Sequence, residues 1–590
     1  MSDTKERVRG GSFVISQTEA ADVFTPEDFT DEQKMIAKMT ADFIEGEIVP
    51  HREQLEKLDI ELTVKLLKQA GELGLLAADI PEAYEGMELD KISSTLITEH
   101  ITRGGSFALS HGAHVGIGTL PIVYFGNEEQ KKRYLPALAS GEQFAAYCLT
   151  EPGSGSDALG AKATAVLNEE GTHYILNGTK QFITNAGFAD LFVVYAKVDG
   201  DKFSAFLVEK EYPGVSTGPE EKKMGIKASS TRPLILEDVP VPVENLLGEI
   251  GRGHVIAFNI LNIGRYKLAA GCIGSSKHAI ELSANYAKER KQFGQPIANF
   301  PLIREKLAEM NIRTYATESM IYRIGGLIET ALSDGESSGK AVADAIAEYA
   351  IECSISKVFA SEAFDFVVDE GVQIHGGYGF INEYPIETMY RDSRINRIFE
   401  GTNEVNRLLI PGTLVKKALK GQLPLLQAAQ ALQAELMAMM PAMIDESETL
   451  AVEADLIEKA KKIFLMIGGS AVQKYQTSLE QQQEVLHNLA DLMIEIYAME
   501  SCMLRAQKQI AQEGEAKAAH KINMTRVFVN DTFGKIELLA RETLAAMEAG
   551  DLLRTQLSVL KKLTRYTPQN TIKLKRELAD RVIEQAGYIS

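Results

Sequence analysis

Residues 143–157, QFAAYCLTEPGSGSD, and residues 173–184, HYILNGTKQFIT, mark a change from a helical to a strand-like sequence pattern. Both contain short apolar or alternating runs bounded by turn-forming residues, which is typical of β-strands. We interpret Asn177-Gly178 and Asp199-Gly200 as two-residue hairpin turns, because each lies between apolar or β-branched runs. Residues 143–253 are therefore predicted to form an antiparallel β domain.

Helical patterns flank this β domain on both sides. Thr30 and Gln33 form a capping-box pattern before an amphipathic run, whereas the residues before it are polar and aperiodic. The pattern predicts an α+β fold that is mainly α. From the N-terminus, we expect a flexible tail at 1–25, a helical domain at 26–142, the β domain at 143–253, a four-helix-type bundle at 254–415 and an additional C-terminal helical domain at 416–590.

Composition narrows the classes of protein and partner. The chain has 590 residues, 45% of them hydrophobic, and a net charge of −20, which opposes binding to nucleic acid. Its four cysteines form no CxxC pair, so we expect no metal site and a reducing compartment. The N-terminus has no apolar signal region and no apolar run is long enough to span a bilayer, so we expect a cytoplasmic protein.

One weakly charged stretch bears on membrane contact. Leu423–Ile444 carries a single charge, Glu435, and follows Lys416, Lys417 and Lys420. A helix that lies on a membrane usually has a polar face rich in Lys and Arg, and this one has glutamines. We expect at most weak peripheral attachment.

Several motifs can carry chemistry, although each has a common structural explanation. The glycines of residues 147–157 can form an anion-binding nest or a tight β-turn. Phe182 to Thr184 can flank a planar cofactor or pack in a core. Residues 290–294 and 373–379 can bind phosphate groups or simply end two helices. No Walker A loop, GxSxG elbow or HExxH motif occurs.

Glu400 is the candidate base. It lies between apolar Phe399 and Gly401, just before a helix that Thr402 can cap. A carboxylate in a partly desolvated setting gains basicity, although a lone Glu before a helix is more often a solvated charge.

Each motif is weak on its own, but their combination in this order along the chain is specific for one protein family. The runs YCLTEPGSGSD, NGTKQFITNAG, KKMGIKAS, ERKQFG, QIHGGYGF and RIFEGTNE resemble the signatures of the acyl-CoA dehydrogenase family across residues 30–415. The C-terminal extension, with NILNIGR and LADLMIEIYAM, resembles the very-long-chain branch of that family. The resemblance implies an enzyme that oxidises long-chain acyl-CoA to trans-2-enoyl-CoA in fatty acid β-oxidation and passes electrons to an electron-transferring flavoprotein.

The resemblance also implies roles for individual residues, with Glu400 as the catalytic base. It implies that FAD is held by Tyr147, Leu149, Thr150, Gly155, Ser156, Phe182, Ile183, Thr184, Arg290, Gln292, Phe293, Gln373, Ile374, His375, Gly376, Gly377, Thr402, Asn403 and Glu404. It implies that the substrate is contacted by Ser156, Asn262, Arg265, Phe399, Gly401, Gly112 and Ala113.

This sequence departs from the family pattern at two positions, and other functions stay open. Many family members have tryptophan at Phe182 and tyrosine at Phe399, and a minority place the base where this chain has Gly264. In the long-chain branch the extra domain covers the tetramer surface, so we expect a homodimer. The alternatives are an acyl-CoA oxidase, or a non-catalytic or nucleic-acid-associated member of the fold, for which a basic cluster at 561–576 is the support.

Overall fold

The structure is a computed structural model that describes residues 8–333, 339–438, 445 and 447–590. It confirms a mainly helical fold in which a β region separates two helical regions, followed by further helices at the C-terminus. The N-terminal helical region consists of α1 (Asp31–Phe43), α2 (Arg52–Glu56), α3 (Ile60–Glu72), α4 (Lys91–Ile101), α5 (Phe107–Gly112), α6 (Leu120–Phe125) and α7 (Glu128–Ser140).

The capping box before α1 is confirmed. The backbone N–H of Gln33 donates to Oγ1 of Thr30 at 3.2 Å, and the backbone N–H of Thr30 donates to Oε1 of Gln33 at 3.0 Å. These two bonds satisfy donors that a helix N-terminus otherwise leaves unpaired, which fixes where α1 begins.

The β region forms one eight-stranded sheet in which β1 pairs with β4 outside the main strand order β6-β7-β3-β2-β4-β5-β8. Its strands are β1 (Ala145–Cys148), β2 (Thr164–Leu167), β3 (His173–Thr184), β4 (Leu191–Val198), β5 (Lys202–Glu209), β6 (Val215–Thr217), β7 (Thr231–Pro242) and β8 (Leu246–Leu247). The sheet is mixed rather than antiparallel, because β1 and β2 both run parallel to β4. Turn residues in a sequence indicate only pairs of strands that follow each other along the chain. They do not reveal that β2 lies between β3 and β4 in the sheet.

One predicted hairpin is confirmed and the other is wrong. Asp199-Gly200, both at positive φ, joins β4 to β5 together with Asp201, so the hairpin is present with a three-residue loop rather than a two-residue turn. Asn177-Gly178 instead lies inside β3, at an irregularity in its pairing with β7. A Cβ at Gly178 would lie 2.7 Å from Cβ of Ala163, so this glycine permits close approach of neighbouring strands rather than a turn.

The bundle that follows is built around one long helix. It contains α8 (Gly253–Glu289), α9 (Pro301–Ser333), α10 (Gly339–Glu348), α11 (Ala350–His375), α12 (Pro385–Ser393) and α13 (Asn403–Leu419), with a short hairpin of β9 (Lys291–Gln292) and β10 (Gln295–Pro296) after α8. The helices α8, α9 and α11 pack against one another, and α13 packs on α11.

The C-terminal helices pack directly on this bundle. They are α14 (Leu425–Ala438), α15 (Ala451–Tyr475), α16 (Gln483–Glu513), α17 (Glu515–Met547), α18 (Gly550–Leu563) and α19 (Thr571–Gln585). Both α16 and α19 contact α9, and α16 also contacts α11 and α13. In the described ranges, no helix combines the length and apolar character that a membrane span requires.

Two surface predictions can be compared with this region. Glu435 in α14 accepts a hydrogen bond from Nζ of Lys462 at 2.6 Å, while residues 439–444 of the weakly charged stretch lie outside the described residues. In the basic cluster, Nζ of Lys575 pairs with Glu309 at 2.5 Å and with Asp531 at 2.8 Å. That lysine is therefore neutralised by neighbouring helices.

Residues 8–25 are packed, which corrects the expectation of a flexible tail for this part. Val14 is fully buried, and the Phe13 ring lies 4.9 Å from the ring of Tyr497 in α16. The backbone N–H of Gly10 donates to Oε1 of Glu348 at 2.9 Å. A few anchors dock this aperiodic segment, so the absence of periodicity did not mean the absence of order.

Candidate active site

Glu400 lies in an irregular loop between α12 and α13. Its φ of 57° falls in the left-handed region, and Gly401 follows at 79°. The loop ends where the backbone N–H of Val405 donates to Oγ1 of Thr402 at 3.2 Å, which confirms Thr402 as the cap of α13. A non-glycine residue at positive φ costs free energy, and such strain is retained mainly at functional sites.

Neighbouring helices hold the carbonyl groups of this loop. Nε of Arg265, in α8, donates to the Glu400 carbonyl at 3.2 Å, and Nη1 of the same side chain donates to Oδ1 of Asn262 at 2.9 Å. Nδ2 of Asn406 donates to the carbonyls of Gly401 at 2.9 Å and Thr402 at 3.1 Å. These contacts offset the backbone strain.

The Glu400 carboxyl group is buried, and its Oε2 atom has no hydrogen-bond partner among the described residues. Burial raises the pKa of Glu400 from 4.5 to about 7, although the positive charges of Arg265 and Lys357 act in the opposite direction. A carboxyl with this pKa exchanges its proton near neutral pH, which suits a general base.

A cavity of about 470 Å³ begins at Glu400 and follows α8. Gly264, at its start, contacts Glu400, and Leu282 lies 18 residues further along the helix. At 1.5 Å per residue this stripe of α8 is roughly 27 Å long. The α8 side of the cavity is lined by Gly264, Lys267, Leu268, Gly271, Cys272, Ser275, His278 and Leu282.

The opposite wall of the cavity comes from the N-terminal helical region. Gly112 and Ala113, both predicted to contact substrate, belong to this wall. Phe399, next to Glu400 in the chain, also lines the cavity. The distal end reaches Arg103, whose Nη1 donates to Oε2 of Glu281 at 2.6 Å. The cavity is therefore a mainly apolar tunnel with a carboxyl at one end and an ion pair at the other.

The β region contributes a second surface beside this tunnel. Thr184, at the end of β3, lines the cavity, and Phe182 is 63% exposed with a φ of 59°. Ile183 and Leu149 are buried in the sheet packing, whereas Gly155 and Ser156 are exposed. The described surface thus presents an aromatic ring and a hydroxyl next to the head of the tunnel.

The turn that carries Ser156 is held by a buried ion pair. Nζ of Lys180, which is fully buried, lies 2.7 Å from Oε1 of Glu151. The same carboxylate accepts from the backbone N–H of Lys162 at 2.6 Å and of Ala163 at 3.0 Å. A tight β-turn is thus present, and Gly153 and Gly155 both face open space.

The remaining predicted cofactor residues lie at the far end of α8. Arg290 follows α8, and its guanidinium lies over the Tyr378 ring at 5.5 Å, so the two glycine-rich helix ends are neighbours. Gln292, Phe293, Gln373, Gly376 and Gly377 are exposed. Arg290 is 26 residues from Gly264, roughly 39 Å along the helix axis. One chain therefore does not bring this group to the Glu400 site.

Three predicted cofactor residues are buried instead. Ile374 is 4% exposed, and the His375 ring stacks on Tyr286 at 4.3 Å between centroids. Asn403 is 2% exposed, with its Oδ1 accepting from Lys357 and its Nδ2 donating to Glu362. The Asn403 side chain is thus held by protein partners, and its contact with the cofactor stays a prediction. Glu404, next in α13, is exposed.

Lys357 is the site residue that sequence reasoning missed. It is fully buried in α11, and its Nζ donates to the Gly401 carbonyl at 2.7 Å. Desolvation lowers the pKa of Lys357 to about 8, although the negative charge of Glu400 opposes this. Its position in the largely apolar run ISKVFA was the available signal, because a buried lysine requires polar partners.

In the described ranges, no group of three or more His, Cys, Asp or Glu side chains is placed to hold a metal ion. His111 and His114 have packing roles instead. Nε2 of His111 lies 2.9 Å from the Leu75 carbonyl, and Nε2 of His114 lies 3.0 Å from the Leu138 carbonyl. Burial lowers the pKa of His111 to about 3 and of His114 to about 4, which keeps both rings neutral.

Comparison with known proteins is consistent with this domain order. Residues 30–142 match the family described as "Acyl-CoA dehydrogenase, N-terminal domain", and residues 146–239 match "Acyl-CoA dehydrogenase, middle domain". Two families, each described as "Acyl-CoA dehydrogenase, C-terminal domain", match residues 251–414 and 459–562. The chain belongs to the acyl-CoA dehydrogenase family.

Individual relatives cover nearly the whole chain. A probable acyl-CoA dehydrogenase of Bacillus subtilis (strain 168) is 62% identical over 98% of both chains. The very long-chain specific mitochondrial acyl-CoA dehydrogenase of Bos taurus is 35% identical over 90% of this chain and 82% of its own. A crystal structure of an acyl-CoA dehydrogenase complexed with FAD from Bacillus anthracis is 62% identical, with a TM-score of 0.98 over 99% of this chain and all of the other.

Proposed function

We propose that this protein is an FAD-dependent dehydrogenase of long-chain acyl-CoA that forms trans-2-enoyl-CoA, with Glu400 as the catalytic base. The observation that carries the proposal is the Glu400 carboxyl, buried with an unpartnered Oε2 at the head of an apolar tunnel. Family membership supplies the class of reaction, and the tunnel supplies space for the acyl chain.

In the proposed mechanism, Oε2 of Glu400 takes the α-proton of the bound thioester. Its raised pKa favours this transfer, since a more basic carboxylate is a stronger proton acceptor. Bound FAD supplies the acceptor for the β-hydrogen, which leaves as hydride. Arg265 and Lys357 hold the backbone carbonyls of Glu400 and Gly401 in place, and the buried setting keeps water away from the carboxyl group during proton transfer.

The residues around the tunnel head fit a flavin. Phe182 is an exposed aromatic ring on a strained strand end, Thr184 provides a hydroxyl beside the cavity, and Gly155 borders open space. Tyr147 and Thr150 lie on the same strand-to-turn element. The FAD complex of the Bacillus anthracis relative, at 62% identity, supports this assignment.

The distance along α8 supports a homodimer. Arg290 lies roughly 39 Å from Gly264, beside Glu400, along the axis of α8, farther than one extended dinucleotide reaches. If both groups bind FAD, a second subunit must place its Arg290 group beside the flavin site of the first. The exposed Phe293 and Phe380 rings, 92% and 84% exposed, are apolar surface that such an interface would cover.

Tunnel length supports a long acyl chain. The stripe of α8 that lines the tunnel spans roughly 27 Å, and the small residues Gly271, Cys272 and Ser275 occupy its middle. The very long-chain specific mitochondrial relative, 35% identical over 90% of this chain, supports the same substrate class. By family membership, we propose electron-transferring flavoprotein as the acceptor and fatty acid β-oxidation as the process.

The test is anaerobic mixing of the purified flavoprotein with a long-chain acyl-CoA. Bleaching of the flavin absorbance is expected for the wild type, and a rate roughly a thousandfold lower for Glu400→Gln. No bleaching, or equal bleaching by the variant, contradicts the proposal. Rapid reoxidation by air with release of peroxide would identify the acyl-CoA oxidase instead.

A further inference from the structure

A continuous series of polar side chains, buried at the loop end and half-buried at Glu362 and Asp491, connects the Glu400 loop to the C-terminal helices. It contains residues from α11, α13 and α16, all joined by hydrogen bonds of 2.7 to 3.0 Å. In order from the loop, its members are Lys357, Asn403, Glu362, Arg407 and Asp491. We refer to these five residues as the polar relay.

The loop end of the polar relay is Lys357. Its Nζ donates both to the Gly401 carbonyl and to Oδ1 of Asn403, each at 2.7 Å. One ammonium group therefore ties the residue after the base to the first residue of α13. A buried ammonium with two acceptors stays in a single position, because moving it would leave a charge unpaired in a dry interior.

The middle of the polar relay crosses from α13 to α11. Nδ2 of Asn403 donates to Oε1 of Glu362 at 3.0 Å. Arg407 then binds both oxygens of Glu362, with Nη1 at 2.7 Å and Nη2 at 2.9 Å. This two-point contact fixes the direction of the carboxylate as well as its distance, so Asn403 has a rigid acceptor.

The far end of the polar relay lies in the C-terminal helical region. Nε of Arg407 donates to Oδ1 of Asp491, in α16, at 2.7 Å. Arg407 is 9% exposed and is thereby held on two sides, by α11 and by α16. The charges alternate along the relay, and each charged member has a partner of opposite sign or a hydrogen-bond acceptor.

We propose that Asp491 is a positioning residue for Glu400, and that the C-terminal helical region acts through the polar relay to hold the catalytic loop in its strained conformation. The inference deepens the proposed function and rests on it for the role of Glu400. It assigns the additional helices a role in catalysis, because the last contact that orients Arg407 comes from α16.

The charged and titratable groups that face Glu400 and Lys357 come from several elements. Around Glu400 these are Arg265 from α8, Lys357 from α11 and Tyr147 from β1. Around Lys357 they are Glu400, Arg265 and Cys272 from α8, and Glu362 from its own helix. Displacement of Lys357 removes one of the two cations that lower the pKa of Glu400.

The test compares Asp491→Asn with Asp28→Asn. Both aspartates pair with a cation across an interface of α16, and their side chains are 20% and 22% exposed. Asp28 accepts from Nζ of Lys508 at 2.5 Å and belongs to the N-terminal segment, so its loss weakens packing without touching the relay. Asp491→Glu keeps the charge and is the conservative variant.

The first readout is hydrogen–deuterium exchange of a peptide covering residues 398–406. Its amides include Phe399, bonded to the Ile395 carbonyl, and Asn406, bonded to the Thr402 carbonyl. We expect the peptide to exchange about tenfold faster in Asp491→Asn than in the wild type. Asp28→Asn and Asp491→Glu should exchange at the wild-type rate. Equal exchange rates in the two asparagine variants, or a wild-type rate in Asp491→Asn, would overturn the proposal.

The second readout is the pH profile of flavin bleaching by acyl-CoA. Asp491→Asn should move the acidic limb to higher pH, whereas a purely structural change would lower the amount of active enzyme without moving the limb. If Asp491→Asn does not fold, Arg407→Lys is measured instead, since it keeps the charge but loses the two-point contact. Failure of the wild type to bleach would contradict the proposed function, while the exchange result would still decide the relay.

Discussion

Glu400 lies against Gly264, and a Cβ built on Gly264 would stand 2.4 Å from Oε2 of Glu400. The absence of a side chain at this position of α8 is therefore what makes room for the candidate base. Gly264→Ala should push the carboxyl out of place and lower kcat by at least roughly a hundredfold, because a base misplaced by about 1 Å loses that much. Single-turnover flavin reduction measures this rate.

The fold should survive Gly264→Ala, since alanine favours a helix by up to about 1 kcal/mol over glycine. Gly534→Ala is the matched control: Gly534 lies within α17, and a Cβ there would meet no atom within 4 Å. Both variants should keep the circular dichroism of the wild type. Full activity in Gly264→Ala would show that Glu400 does not depend on this space.

The pKa of Glu400 predicts the pH dependence of the reaction. Burial raises that pKa to about 7, and only the carboxylate can accept a proton. Hence kcat/KM should rise with pH and level off above an apparent pKa near 7. Lys357→Met should move this limb to higher pH, because the Lys357 charge lowers the pKa of Glu400. A limb near the ordinary glutamate pKa of 4.5 would contradict the assignment.

Gly112 predicts a change in chain-length preference. It is helical, with φ of −63°, lines the tunnel, and has open space where a Cβ would stand. Gly112→Leu should fill the tunnel without backbone strain, and should lower kcat/KM for long chains by at least roughly tenfold relative to short ones. A chain-length series of acyl-CoA substrates with a dye acceptor measures the ratio.

Gly112→Ala gives an intermediate case for the same series, since it adds a single methyl group. Gly46→Leu serves as the control, because Gly46 also has open space around it but does not line the tunnel. An unchanged ratio in Gly112→Leu would mean that the acyl chain takes another path through the protein.

Local patterns were sufficient to separate the helical regions from the β region, whereas the choice of Glu400 as candidate base also required the family resemblance of the ordered motifs. Periodicity located the helical and β regions, and the motif at 397–404 identified the loop. The order β3-β2-β4 was not predictable in this way, because it depends on a strand inserted between two others. The docking of Phe13 and Val14 was also missed, since two anchors in a short segment produce no periodic signal.

The polar environment of Glu400 shows a second kind of limit. Lys357 and Arg407 are ordinary surface-type residues in sequence, separated from Glu400 by 43 and 7 positions. Their burial becomes apparent only when α11, α13 and α16 are packed together. Sequence reasoning identified the candidate base, but the residues that hold it depend on tertiary contacts.

A second buried ion cluster joins the N-terminal segment to the C-terminal helices. Arg505, in α16, is 1% exposed, with Nη2 donating to Oε1 of Glu27 at 2.7 Å and Nη1 donating to Oε2 of Glu318 at 2.6 Å. Oη of Tyr588 donates to the same oxygen of Glu318 at 2.7 Å. The cluster thus connects four distant parts of the chain.

Arg505→Met should lower the free energy of unfolding by about 3 kcal/mol at pH 7, because Glu27 and Glu318 lose the cation that they share and keep only Lys521 and Lys277 as charged partners. Although burial opposes it, pairing with Arg505 holds the pKa of Glu27 down at about 2, below the ordinary 4.5. This stabilisation is present above pH 4.5 and is lost as the pH falls towards 2, so the difference between variant and wild type should shrink on acidification. Urea unfolding at pH 7 and pH 4 measures both values.

The control is Arg554→Met, whose partner Asp551 is exposed, and which should change the free energy of unfolding by less than about 0.5 kcal/mol. Equal effects of the two substitutions would show that the Arg505 cluster contributes no more than a surface ion pair.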